Sequence, residues 1–94
     1  MILTGCGHSG IVNIVYHAQR LMSGINQIHA ILGGFHLSGG LFEKLIPATV
    51  AALAETTPQI VVPAHCTGWK AQMALAAGLP AAFVPNSVGS RFLL

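Results

Sequence analysis

A chain of 94 residues with 53% hydrophobic and only 6% charged residues, a mean hydropathy of +0.70 and a formal net charge of +2 is too apolar for disorder and too weakly basic for a nucleic-acid footprint. Its two charge-free runs, Leu21 to Phe42 and Ala71 to Ser90, do not make membrane spans, because His29, His36 and glycines interrupt the first and Pro80, Pro85 and Asn86 the second. No basic region precedes Ile2 as in a secretory signal, and Cys6 and Cys66 make no disulfide framework, so a cytoplasmic location with reduced thiols is expected.

The apolar run Met1 to Thr4, ended by Gly5, suits a strand buried on both faces. From Ile11 the period becomes helical. Ile11, Ile14, Val15, Ala18, Leu21 and Met22 form one stripe, with Asn13, His17 and Arg20 on the other side, Ser9 as cap and Ser23-Gly24 as stop. Ile28 to Leu32 predicts a second strand closed by Gly33-Gly34, and Ser38-Gly39-Gly40 a loop. Pro47 suits the first turn of a helix carrying Val50 and Leu53 to about Glu55. Ile60 to Val62 is a third, β-branched strand. Thr67 is placed to cap a helix from Gly68 to about Ala77, with Trp69 and Met73 in its core stripe, before Gly78 and Pro80. Ala81 to Val84 and Ser90 to Leu94 predict two closing strands joined at Pro85-Asn86. The order is therefore βαβαβαββ, an α/β unit with a mainly parallel sheet over residues 1–94, either a single small domain or part of a larger one.

The three strands end alike, at Gly5-Cys6-Gly7-His8, Gly33-Gly34-Phe35-His36 and Pro63-Ala64-His65. The intervals are 28 residues from His8 to His36 and 29 from His36 to His65, each about one strand, one helix and two loops. The three histidines thus share the C-terminal edge of neighbouring parallel strands, where ligand sites of open α/β sheets gather. Imidazoles suit zinc and neighbouring transition metals, and three protein ligands with an open position describe a catalytic site. His17, on the polar helix face, and His29, about 23 Å along the strand from His36 at ~3.3 Å per residue, serve as controls outside that edge.

A rival reading uses Gly5, Gly7 and Gly10 as a G-x-G-x-x-G dinucleotide turn. It needs an acidic residue at the end of the second strand. The chain contains no aspartate, its acids being Glu43 and Glu55. Cys6 and Cys66 are expected as small packing residues near the site, with contact of one of them to metal as the lesser alternative. Lys70 and Arg91 are scarce cations able to hold an anionic substrate.

Taken together, Thr4-Gly5-Cys6-Gly7-His8-Ser9-Gly10-Ile11-Val12-Asn13, Leu32-Gly33-Gly34-Phe35-His36-Leu37, Val62-Pro63-Ala64-His65-Cys66-Thr67-Gly68 and Val88-Gly89-Ser90-Arg91-Phe92 resemble the C-terminal half of a metallo-β-lactamase-fold hydrolase. The branch resembled is that of the dihydropterin ribofuranosylaminobenzene 5'-phosphate synthases. The resemblance implies an αβ/βα sandwich of two similar halves with a binuclear metal centre at the sheet edges. It implies His8 and His65 as metal ligands, with His36 at the strand end where the superfamily commonly has a bridging aspartate. It further implies a divalent metal, zinc first and manganese or iron as alternatives, and hydrolysis of an ester or phosphoester-type small molecule by metal-bound hydroxide. The His-x-His-x-Asp-His motif of the other half is absent from these residues. The expectation is a fragment or short form of such a hydrolase, completed by the missing half or by self-association through an apolar sheet face. A non-catalytic binding module retaining the half-fold is the alternative.

Overall fold

The computed structural model describes residues 1–23 and 27–94. In chain order it contains β1 (Ile2–Thr4), α1 (Ile11–Leu21), β2 (Ala30–Gly34), a short α2 (Gly40–Glu43), α3 (Ile46–Glu55), β3 (Ile60–Ala64), a 3-10 turn over His65–Thr67, and α4 (Trp69–Gly78). The strands form one parallel sheet in the order β1-β2-β3. Because spatial order follows chain order, right-handed crossovers put the connecting helices on the same face. There α3 packs between α1 and α4.

The register aligns Ile2 with Ile31 and Ile31 with Val61. Side chains alternate along a strand, so this row points to one face. It meets Ile11 and Val15 of α1, Leu53 of α3 and Leu75 of α4 in a single apolar core. Burying each such side chain contributes on the order of 1.5–3 kcal/mol. The next row, Leu3, Leu32 and Val62, points to the opposite face. Val62 is buried and Leu32 partly so, whereas Leu3 is 73% exposed.

Through α4 the α/β order follows the sequence expectation, except that the short α2 begins at Gly40 of the expected loop and β2 runs on through Gly33-Gly34, and four further details differ. The closing strands are reduced to one parallel bridge, Val61 with Phe83. Its two backbone bonds run from Val61 N–H to the Ala82 carbonyl and from Val84 N–H to the Val61 carbonyl. Pro85 follows at once, lacks an N–H and stops the ladder, and residues 90–94 form no strand. Secondly, neither expected cap acts through its side chain. The residues preceding α1 and α4 are Gly10 and Gly68, while the Ser9 carbonyl accepts a 2.7 Å bond from Asn13 Nδ2. Thirdly, α1 buries Ile11 and Val15, but Leu21 and Met22 in its last turn are exposed. The expected stop at Ser23-Gly24 includes Gly24, which lies outside the described residues. Finally, Trp69 and Met73 are exposed, at 67% and 64%, and α4 buries Ala71 and Leu75 instead.

Candidate metal centre

β1, β2 and β3 end at Thr4, Gly34 and Ala64. His8, His36 and His65 follow those ends closely, at the same edge of the sheet. Backbone bonds lace the three loops together. Gly34 N–H donates to the Gly5 carbonyl at 2.7 Å, and the Leu37 and Ser38 N–H groups donate to the Cys66 carbonyl at 3.2 and 3.3 Å. Gly7, at φ 66°, lies so close to the Gly34 carbonyl that a Cβ would collide with backbone. The glycine-rich β1–α1 loop is therefore folded down onto β2.

Two groups of side chains result. His8 and His36 lie side by side, their ring centroids 4.2 Å apart and planes tilted by 34°. The Phe42 ring of α2 meets His36 edge-on at 4.6 Å. The second group is His65 with Cys6 and Cys66, whose candidate ligand atoms all lie within 4.8 Å of one another. His36 and His65 have positive φ, 51° and 32°, a region uncommon outside glycine but enriched in histidine.

Thr67 braces both groups. Its hydroxyl is buried, accepts the Phe35 N–H at 3.1 Å and donates to the Ala64 carbonyl at 2.6 Å. Phe35 and Ala64 immediately precede His36 and His65. This bridge, the Phe42 contact and the meeting of the thiols were not foreseen from sequence. The only hint in the sequence was that a cysteine accompanies a histidine at the first and third strand ends.

The controls lie elsewhere. His17 is exposed on α1, where an Arg20 guanidinium nitrogen approaches its Nδ1 at 3.4 Å. His29 is exposed at the opposite edge, with Nδ1 2.7 Å from Gln59 Oε1. Lys70 donates to Glu43 Oε2 at 3.0 Å and lies 5.8 Å over the Trp69 ring. It thereby ties α4 to α2 beside Phe42, and Arg91 is exposed in the C-terminal segment.

The donor set fits a divalent transition metal: imidazoles and thiols, without an unpaired carboxylate among them. His36 Nδ1 is buried and has no hydrogen-bond partner among the described residues. Such an orphaned nitrogen costs about 1–3 kcal/mol unless something takes its lone pair. The Cys6 thiol is held above its ordinary pKa by partial burial first and by the neighbouring Cys66 second.

In three dimensions the chain superposes on a solved structure described as a metal-dependent hydrolase of the β-lactamase superfamily, with a TM-score of 0.85 and 30% identity over 98% of this chain and 35% of that one. In sequence it is 39% identical over 72 residues to the 7,8-dihydropterin-6-methyl-4-(β-D-ribofuranosyl)-aminobenzene-5'-phosphate synthase of Methanocaldococcus jannaschii, covering 77% of this chain and 24% of that protein. It is 37% identical over 71 residues to an uncharacterized protein of the same organism, covering 76% and 25%. No protein-family model matches the chain. The resemblance to metallo-β-lactamase-fold hydrolases thus holds in structure, and that to the dihydropterin ribofuranosylaminobenzene phosphate synthase branch in sequence. The chain spans about a quarter of the length of these curated relatives. Among the described residues, no helix is long and apolar enough to cross a membrane.

Proposed function

We propose that this chain supplies part of the metal centre of a hydrolase acting on a small ester or phosphoester, with His8, His36 and His65 as ligands and zinc as the metal. The observation carrying this reading is the buried Nδ1 of His36, without a partner among the described residues, beside His8 at a sheet edge shared with His65. A divalent metal held there would lower the pKa of water toward ~7 and polarise the scissile bond. The chain's own residues hold and orient. Phe42 fixes the His36 ring from its edge, Thr67 anchors the backbone before His36 and His65, and His8 lies against the His36 ring. Arg91, and Lys70 if released from Glu43, would counter the charge of an anionic substrate.

The remaining ligands would come from a part bearing the His-x-His-x-Asp-His motif, docked on the sheet face that exposes Leu3, or from a second copy of this chain. The compartment we favour is the cytoplasm, where both thiols stay reduced. The second reading, a binding module without catalysis, is favoured by the exposed Leu3, Trp69 and Met73. Hydrolysis of bis(p-nitrophenyl) phosphate and p-nitrophenyl acetate separates the two. It should be measured with added Zn or Mn, for the chain alone and with a partner carrying the missing motif. Turnover by the pair that is lost in His65→Ala is expected. No turnover by a metal-loaded pair, or turnover unchanged by His8→Ala and His65→Ala, would overturn the hydrolase reading.

A further inference from the structure

Two thiols stand at the same edge, and the histidine site makes no use of them. Cys6 comes from the β1–α1 loop and Cys66 from the 3-10 turn after β3, with β2 between them in the sheet. They meet because Gly34, at the end of β2, has no side chain. A Cβ there would stand 3.0 Å from Cys66 Sγ and 3.1 Å from the Cys6 Cα. Cys66 is held in the gap, donating its S–H to the Cys6 carbonyl at 3.1 Å. Both cysteines are only half-buried and His65 is exposed, so solvent and ions can reach the group, unlike thiols that merely fill a core. His65 keeps a left-handed backbone and a ring nitrogen within 4.8 Å of both sulfurs.

We propose that Cys6, Cys66 and His65 form a thiolate-containing site for a thiophilic divalent cation, zinc being the natural occupant, next to the His8 and His36 pair. The proposal deepens the metal-centre reading through the shared His65, and it adds two sulfur donors. In a tetrahedral zinc site with Zn–S of about 2.3 Å and Zn–N of about 2.0–2.1 Å, neighbouring ligand atoms stand roughly 3.5–3.8 Å apart. Closing the present spread to that spacing is a side-chain adjustment and leaves the strands in place. Binding is balanced without any redox change: two thiols and one divalent cation give the bis-thiolate complex and two protons, which pass to solvent. Soft sulfur donors would favour zinc over manganese at this position.

Cobalt(II) titration of the reduced full chain is the test, with far-ultraviolet circular dichroism to establish that each variant is folded. A near-ultraviolet thiolate-to-cobalt charge-transfer band is expected. It should weaken in Cys6→Ser and in Cys66→Ser, and vanish in the double variant. Cobalt that binds with visible bands but no charge-transfer band would overturn the thiolate site while leaving the histidine reading intact. A folded chain that binds no cobalt overturns both. Should the serine variants fail to fold, zinc protection of the wild-type thiols against alkylation decides the matter: both cysteines should be protected, and unslowed labelling of either one contradicts the proposal. A Cys6–Cys66 disulfide that re-forms in air, with no metal uptake after reduction, would also contradict it.

Discussion

At Thr67 a single hydroxyl joins the ends of two strands, because its one oxygen both accepts from Phe35 and donates to Ala64. Thr67→Val preserves shape but leaves the buried Phe35 N–H and the partly buried Ala64 carbonyl without this partner, the N–H costing about 1–3 kcal/mol and the partly solvated carbonyl about 1 kcal/mol. The urea midpoint should therefore fall by the equivalent of roughly 2–4 kcal/mol, whereas Thr67→Ser should retain most of the stability. A Thr67→Val midpoint equal to wild type would show that the brace is dispensable. From the sequence Thr67 looked like a helix cap, since threonine before a helical stretch usually is one. The two strand ends compete for the same hydroxyl and win, and that competition is visible only once Phe35 and Ala64 lie beside it. Cys6 carries a prediction of a related kind. Partial burial, and then Cys66, push its thiol pKa up, so at neutral pH less of it is thiolate and alkylation is slow. Cys66→Ser should speed the labelling of Cys6, because the neighbouring thiol's contribution is removed; unchanged labelling would leave burial as the sole cause.

Among the elements, those with a one-sided pattern were legible and those without one were not. β3 opens on β-branched Ile60, Val61 and Val62, and the first turns of α1 set apolar Ile11 and Val15 against polar Asn13 and His17. Helix α4 is apolar or small at most positions around its circumference, so its periodicity cannot select a buried face. Contact with α3 selects Ala71 and Leu75, and leaves Trp69 and Met73 outside. Leu75→Ala should consequently cost about 2–5 kcal/mol. Met73→Gln in the chain alone should stay within about 0.5 kcal/mol of wild type, and thermal unfolding of both variants measures the contrast. A large loss for Met73→Gln would mean that α4 packs through its other face. The shared edge of the strand-end histidines was legible because their spacing repeats the strand–helix unit, but their division into a His8–His36 pair and a group of His65 with the two cysteines was not. The pairing of Cys6 with Cys66 was not, since it depends on a missing side chain at Gly34 and on residues sixty positions apart. At Gly7 the close approach is backbone against backbone, and neither side can give way. Gly7→Ala should lower stability by more than about 2 kcal/mol, with the loop displaced from β2.

For the molecule as a whole, a sheet covered by helices on one face leaves the other dependent on something else. Parallel sheets are normally covered on both sides, and here the row Leu3, Leu32 and Val62 grades from exposed to buried across the sheet. With 6% charged residues, the surface has little to screen such a patch. Sedimentation velocity of the chain alone should show self-association that Leu3→Lys reduces; a monomer at every concentration would mean that this face needs no cover. The claim on which the functional account rests is narrower: that the histidines at the strand ends hold a metal and the others do not. Metal content by elemental analysis, after equilibration with Zn and removal of free ion, tests it most directly on wild type, His8→Ala, His36→Ala, His65→Ala and His17→Ala. Bound zinc should fall in the three strand-end variants and stay at the wild-type level in His17→Ala. Equal zinc in all five proteins would contradict the account.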